Sequence, residues 1–148
     1  MYYVNQEQIA IRLKAIPDIA AALEALAVDW QGTLLEGLAQ ERALHLAIET
    51  VTDVGSYLID GFILRDASSY EDIVEIAGEA GAFPSSMQPL LIELVKLRKP
   101  LVQDYYSWSR AELHAMTRDL PVQLRLFGES VQQYLERELP VESDLRKG

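Results

Sequence analysis

Apolar residues recur along this chain at intervals of three or four, and no segment alternates apolar and polar residues with a period of two. The first pattern is typical of amphipathic helices and the second of strands, so the chain is predicted to be all-α. The longest stretch of the helical pattern covers residues 34 to about 64, which corresponds to roughly 45 Å of helix. Its apolar positions spread round more than one face, which indicates a central helix packed against several others.

Shorter helical patterns lie on both sides of this central segment. Pro17 is expected to kink the first helix, or to split it in two with the proline in a new first turn. Pro121 and Gly128 are expected to interrupt the last helix. We predict one domain over residues 1–148, a bundle of about five or six helices with its core in residues 5–137. The residues expected to cap the shorter helices are Asn5, Ser68, Ser85 and Ser109.

The chain has 148 residues, no cysteine and a net charge of −10. Without cysteine it has no disulfide, no thiolate nucleophile and no thiolate metal ligand. Its acidity argues against non-specific binding to nucleic acid. A local basic cleft would depend on a few residues, and Lys96, Arg98 and Lys99 form the tightest basic cluster in the interior of the chain. The alternative for this cluster is a solvated helix face.

Several functional classes lack their sequence signatures here. There is no Gly-x-Ser-x-Gly turn, no Walker loop and no glycine-rich dinucleotide turn, which argues against serine hydrolases, P-loop NTPases and dinucleotide enzymes. The sequence has no signal-peptide pattern and no apolar run of the roughly 20 residues that a membrane span needs. We therefore expect a cytoplasmic protein with no membrane contact.

The segment formed by residues 97–106 departs from the helical pattern around it. It combines basic, aromatic and amide side chains, and it carries Pro100 where the pattern predicts helix. A proline inside a helix removes a backbone donor and costs about 3 kcal/mol. The helix is therefore expected to bend at Pro100 or to end near Arg98. Local conflicts of this kind are typical of functional sites.

Arg98, Gln103 and Tyr105 have the spacing of an Arg-x4-His-x-Tyr signature, with glutamine in place of histidine. This segment resembles the HepT-like branch of the HEPN superfamily. A second block, residues 42–49 with residues 59–62 and 69–72, resembles the long second helix and following loop of the branch that includes YutE-like proteins. Together the resemblance spans residues 5–137.

The resemblance implies a four-helix-bundle core that forms a homodimer, with the two motifs meeting in a cleft at the interface. Active members are metal-independent endoribonucleases that act as toxins, and no cofactor is implied. Their partner is a small nucleotidyltransferase antitoxin, which in several systems adds AMP to the tyrosine of the motif. Tyr105 holds that position here. The alternative for Tyr105 is packing in the interface with Tyr106 and Trp108, as aromatic residues often do.

RNA cleavage by the 2′-hydroxyl needs a group that exchanges protons near neutral pH and a cation for the phosphate. Arg98 fills the position of the cation, but the amide of Gln103 neither gains nor loses a proton in this range. Our first hypothesis is a ribonuclease-degenerate dimer with a binding or regulatory role in a toxin–antitoxin-type module. The second is an active ribonuclease that uses Arg98 with Tyr105, Asp104 or His45. The third is an acidic helical interaction dimer unrelated to RNA.

Four polar residues of the central helix, spaced four apart, form a stripe on one face. Two interpretations stand: a divalent-metal site, or a polar seam at a dimer interface or on the surface, and we favour the seam, with no metal. Lys99 and Pro100 are expected to reshape the turn of the motif, and Tyr57 and Asp60 could line the same cleft as the stripe. His114 is expected to be a packing or surface residue. The stripe is Glu41, His45, Glu49 and Asp53, and the candidates that line the cleft are Lys99, Asp104, His45, Glu49 and Asp53.

The chain also carries more apolar residues in its long and last helices than a thin bundle of this length needs to bury. A symmetric dimer is the commonest way to bury such an excess.

Overall fold

The computed structural model describes residues 2–139, and every regular element in this range is helical. The predicted all-α fold is therefore confirmed. Six α-helices are joined by short turns, with two 3₁₀ turns and one π-helical segment between them. The helices are α1 (Gln6–Leu13), α2 (Ile16–Val28), α3 (Leu34–Gly61), α4 (Tyr70–Glu79), α5 (Gln88–Lys96) and α6 (Ala115–Glu138). The 3₁₀ turns are Ser85–Met87 and Tyr105–Ser107, and the π-helix is Lys99–Gln103.

Helix α3 is the central element that the apolar pattern predicted. It packs against α1, α2, α4, α5 and α6, and it buries apolar side chains on more than one face. A capping box starts it: the Thr33 hydroxyl accepts from the Glu36 backbone, and the Glu36 carboxylate accepts from the Thr33 backbone. It ends at Gly61, three residues before the predicted end, because Ile63 adopts a left-handed conformation that closes the last turn.

The first helical segment is split, as Pro17 predicted. Helix α1 ends at Leu13, and α2 begins at Ile16 with Pro17 in its first turn, where a missing backbone donor costs nothing. Helix α2 then packs along α6. No helix among residues 2–139 has both the length and the apolar composition needed to cross a membrane.

Three predicted helix starts are wrong. Ser85 does not cap α5: it begins the 3₁₀ turn Ser85–Met87, and the N-cap of α5 is Met87, with no side-chain hydrogen bond. The N-cap of α4 is Ser69 rather than Ser68, because the Ser69 hydroxyl accepts from the Asp72 backbone at 3.0 Å. Helix α6 starts at Ala115 rather than after Ser109, with the His114 ring as its cap. The segment after Ser109 stays out of the helix because other elements satisfy its backbone groups.

The predicted interruptions of the last helix are also wrong. Helix α6 is continuous from Ala115 to Glu138, through Pro121 and Gly128. Pro121 is buried, and α6 packs along α2 over this stretch. Tertiary packing therefore outweighs the local cost of the proline.

Candidate functional site

The π-helix Lys99–Gln103 sets the direction of Gln103 relative to Arg98. Asp104 donates its backbone N–H to the Lys99 carbonyl, five residues back, at 3.0 Å. In an α-helix, residues five apart lie about 140° apart round the axis. A turn closed over five residues instead brings position 103 back towards the face of Arg98. Helix α5 ends at Lys96, so the expected end near Arg98 is confirmed.

The Arg98 guanidinium is held at one edge and on one face. Its Nε lies 3.8 Å from Glu49 Oε1 on α3, and its central carbon lies 4.3 Å from the centroid of the Tyr70 ring on α4. The side chain is 25% exposed. Among residues 2–139, its two terminal nitrogens make no hydrogen bond, and its buried Nε also has no hydrogen-bond partner. The terminal nitrogens are free to bind an oxyanion, for which the guanidinium fork is well suited.

His45 joins this cluster through Glu49. Its Nε2 lies 3.2 Å from Glu49 Oε1, the same oxygen that faces Arg98, and its Nδ1 lies 3.3 Å from Arg42 Nη1. A guanidinium only donates, so Nδ1 accepts from Arg42, and these partners assign the tautomer with the proton on Nε2. The structure thus brings the motif arginine to an imidazole and a carboxylate of α3 that are distant from it in sequence.

Each carboxylate of the polar stripe on α3 forms an ion pair with a different arginine. Glu41 pairs with Arg110 at 2.7 Å, and Asp53 pairs with Arg12 at 3.2 Å. Among the residues that the structure describes, no three metal-ligating side chains cluster together. The carboxylates of Glu41, Glu49 and Asp53 are thus ion-pair partners of three arginines.

Asp53 stands apart from the rest of the predicted cleft. It lines a separate cavity of about 270 Å³ with Arg12, Ser56, Tyr57 and Asp60. Tyr57 and Asp60 accompany Asp53 as expected, but this cavity does not include Arg98, His45 or Glu49. The proposed cleft residues of α3 thus fall into two neighbouring groups.

The second half of the motif is open to solvent. Gln103 and Lys99 are exposed, Asp104 is half-buried, and Gln103 makes no side-chain hydrogen bond within the described part of the chain. Tyr105 is 57% exposed and contacts Tyr106 edge to face, with ring centroids 5.8 Å apart. Trp108 does not join them: it stacks on His114 at 5.4 Å.

A buried hydrogen-bond network, which the sequence did not reveal, fixes the loop after these tyrosines. Gln40 on α3 is fully buried, and its Nε2 donates to the Glu112 carbonyl at 3.0 Å. Its Oε1 accepts from the His114 backbone at 2.9 Å and from the Thr117 hydroxyl at 2.7 Å. The signal was a lone amide on the apolar face of α3, where buried polar groups need partners.

Tyr70 was also missed as a member of the site. It appears in the sequence only as the second residue of the 69–72 block, with nothing to connect it to Arg98. The contact depends on how α4 crosses α3, which no local pattern specifies.

The all-helical fold and the presented arginine are those of a HEPN ribonuclease-type protein. The chain belongs to the HepT-like family, since a family model described as "Ribonuclease HepT-like" matches residues 13–131. The predicted family is confirmed. A similar protein from Bacillus subtilis (strain 168), named "Putative RNase YutE", is 34% identical over 139 residues, which cover 94% of this chain and 95% of that protein.

A solved structure is similar over the same extent. It is described as "Structure of Cytosolic Protein of Unknown Function YutE from Bacillus subtilis" and matches with a TM-score of 0.87 and 34% sequence identity. The match covers 97% of this chain and 99% of that one.

Proposed function

We propose that this chain is a homodimeric HepT-like protein that keeps the phosphate-binding arginine of the family but has given up ribonuclease catalysis. Its role is then binding or regulation within a toxin–antitoxin-type module. One observation carries the proposal: Arg98 is held with its terminal nitrogens making no hydrogen bond to any described residue, whereas the position that needs a proton-transfer group is the exposed amide of Gln103. Losing a positioned acid–base group typically lowers the rate by about 10²- to 10⁴-fold.

The homodimer is supported by an exposed stripe on α3. Leu35, Leu38, Arg42, His45 and Glu49 follow one another at intervals of three and four, so they share one face of the helix. The two leucines are exposed, and the polar end of the stripe reaches Arg98. A two-fold axis through this face would bury the leucines and bring two copies of the motif close together.

The partner proposed for this dimer is a small nucleotidyltransferase antitoxin, with Tyr105 as the residue that receives AMP. The exposure of Tyr105 supports this role, because a transferase must reach the phenol oxygen. In this transfer the Tyr105 phenol oxygen loses its proton and bonds to the α-phosphorus of ATP, and the α–β phosphoanhydride bond breaks to release pyrophosphate. Incubation with such an enzyme and ATP should therefore raise the mass of the chain by one adenylyl group, and Tyr105→Phe should abolish the increase while Tyr106→Phe should not.

The central test is cleavage of a mixed single-stranded RNA by the parent protein and by Gln103→His, each with and without Arg98→Ala. We expect no cleavage by the parent, cleavage by Gln103→His, and loss of that activity with Arg98→Ala. Cleavage by the parent that depends on Arg98 would contradict the degenerate site.

A second candidate function is active RNA cleavage with His45 as the proton-transfer group. The observation in its favour is that Glu49 Oε1 lies between His45 Nε2 and Arg98 Nε. In that case the parent cleaves RNA, His45→Gln removes the activity, and Gln103→Ala leaves it unchanged. His114→Asn is the matched control, since His114 is occupied in capping α6.

A further inference from the structure

We propose that Tyr70 is a positioning residue for Arg98: its ring and the Glu49 carboxylate fix the guanidinium so that the two terminal nitrogens meet a phosphodiester of RNA. The inference rests on the function proposed above, in which Arg98 is the phosphate-binding group. It concerns a residue outside the motif, on a different helix.

Tyr70 and Glu49 contact parts of the Arg98 guanidinium that a bound phosphate does not need. Tyr70 covers one face at 4.3 Å, within the distance of about 6 Å at which an aromatic ring attracts a cation. Glu49 Oε1 lies 3.8 Å from Nε, which is an ion-pair distance without a hydrogen bond. What remains is the pair of terminal nitrogens, the edge that makes bidentate contacts with oxyanions. An arginine already ordered in this way loses less conformational freedom when it binds.

The start of α4 is built to keep Tyr70 in place. Asp72 accepts two hydrogen bonds from the Arg65 guanidinium, at 3.0 and 2.9 Å, and two from Ser68, through its backbone at 2.9 Å and its hydroxyl at 3.0 Å. Arg65 first, and then Ser68, hold the pKa of the Asp72 carboxyl far below its ordinary value. With Ser69 capping the helix, this network fixes the turn in which Tyr70 lies.

A close helix crossing brings that turn to Arg98. Gly55 of α3 faces Ile73 of α4, and a Cβ at Gly55 would overlap the Ile73 side chain. The absence of a side chain therefore lets α4 approach α3 just beyond Glu49. The crossing explains how a residue of α4 and a residue of α3 come to contact the same guanidinium.

The exposure of Tyr70 argues that it is more than a packing residue. Tyr70 is 45% exposed, and its hydroxyl makes no hydrogen bond with any described residue. The ring face, rather than the hydroxyl, makes the contact with Arg98. Phenylalanine should therefore replace Tyr70, and leucine should not.

Two measurements test the proposal on the full-length protein. The first is the NMR signal of Arg98 Nε–Hε, assigned with Arg98→Lys; the shift caused by the ring should persist in Tyr70→Phe and vanish in Tyr70→Leu. The second is the affinity for a labelled single-stranded RNA of roughly 20 nucleotides at low salt, where electrostatic binding is strongest. Tyr70→Leu should weaken binding about three- to tenfold, and Tyr70→Phe should stay within about twofold of the parent. Tyr3→Leu, which removes an exposed tyrosine with no cation over its ring, should change nothing.

The outcomes separate this inference from the proposed function. If Arg98→Ala binds the RNA as well as the parent, or the parent does not bind it, the proposed function fails and the role of Tyr70 fails with it. If Arg98→Ala loses affinity while Tyr70→Leu keeps it, only the role of Tyr70 is overturned. The role is also overturned if the Arg98 signal is the same in Tyr70→Leu as in the parent, or if Tyr70→Phe loses affinity as Tyr70→Leu does.

Discussion

A single isoleucine at the end of α3 holds an unfavourable backbone conformation. Ile63 has a φ of 55°, in the left-handed region that β-branched residues avoid. The conformation lets Leu64 donate its backbone N–H to the Ile59 carbonyl at 3.0 Å, a bond that closes the helix and usually has glycine at its centre. The Ile63 side chain is 75% exposed, so burial offsets little of the strain.

Ile63→Gly is therefore expected to stabilise the protein by about 1 kcal/mol, because glycine adopts this conformation without a clash of its Cβ. Urea unfolding measures the change. Ile63→Ala is the matched control, since alanine removes the apolar side chain but keeps the Cβ. Equal stabilisation by both variants would show that strain is not the cause.

His114 makes folding stability depend on pH. Its Nδ1 accepts from the Met116 backbone at 3.0 Å, and burial lowers the pKa of the imidazole. The unfolded chain, with a pKa of about 6.5, then binds this proton more readily than the folded one. The contribution of His114 to folding stability is therefore fully present above the unfolded pKa of about 6.5. It is lost as the pH falls from there towards the lower folded pKa.

His114→Asn should remove this part of the pH dependence while it keeps the cap, because asparagine caps helices without titrating. His114→Ala should lose about 1 kcal/mol at pH 8, roughly the contribution of an N-cap. Urea unfolding of the three proteins on both sides of pH 6.5 (about the free imidazole value) measures both effects. An unchanged pH profile in His114→Asn would contradict the assignment.

At the scale of single residues, the sequence predicted which residues form the motif better than it predicted which side chains surround them. The spacing of Arg98, Gln103 and Tyr105 was enough to identify the motif, because that spacing is a local property of the chain. It did not reveal that Glu49 stands between His45 and Arg98, because Arg98 meets these two residues of α3 only in the folded chain.

At the scale of elements, apolar periodicity predicted α3 and the split at Pro17, since both follow from local rules. The start of α6 could not be predicted in this way. Ser109 and Glu112 fit a capping box, but Trp30 and Gln40 form hydrogen bonds with the backbone of the 109–114 loop and keep it out of the helix. A tertiary contact thus outweighs a local capping signal.

Two helical glycines should respond differently to alanine. Gly37 packs against Arg110, and a Cβ there would overlap the Arg110 carbonyl oxygen, which cannot move aside by changing rotamer. Gly37→Ala is expected to cost about 1–3 kcal/mol. At Gly128 the added Cβ would meet only the end of the Ile16 side chain, at 3.0 Å.

Gly128→Ala is therefore the matched control and should cost less, because alanine favours the helix by up to about 1 kcal/mol. Thermal unfolding of both variants measures the difference. If Gly37→Ala were the more stable of the two variants, the close packing of α3 on the 109–114 loop would be contradicted.

At the scale of the whole molecule, the exposed stripe of α3 gives the proposed dimer a testable surface. Introducing charge with Leu35→Glu and Leu38→Glu together should produce a monomer, because two copies cannot bury four like charges against each other. Size-exclusion chromatography with light scattering measures the mass. Val122→Glu with Leu126→Glu adds the same charge to exposed apolar positions of α6 and should leave the dimer intact.

A parent protein that is monomeric at working concentration would overturn the dimer itself. A dimer that survives the α3 variant but not the α6 variant would move the interface to the other side of the bundle.

The π-helix accommodates one extra residue between Arg98 and the tyrosines. An α-helical turn closes over four residues and this one closes over five, so removing one residue from Lys99–Gln103 and closing the turn as an α-helix would leave the later side chains near their present faces. Keeping all five residues but converting the turn to an α-helix would instead rotate the later side chains by about 100°. Homologous sequences with a one-residue gap in this segment should therefore have an ordinary α-helical turn there, with the arginine and the tyrosines in the same relative positions.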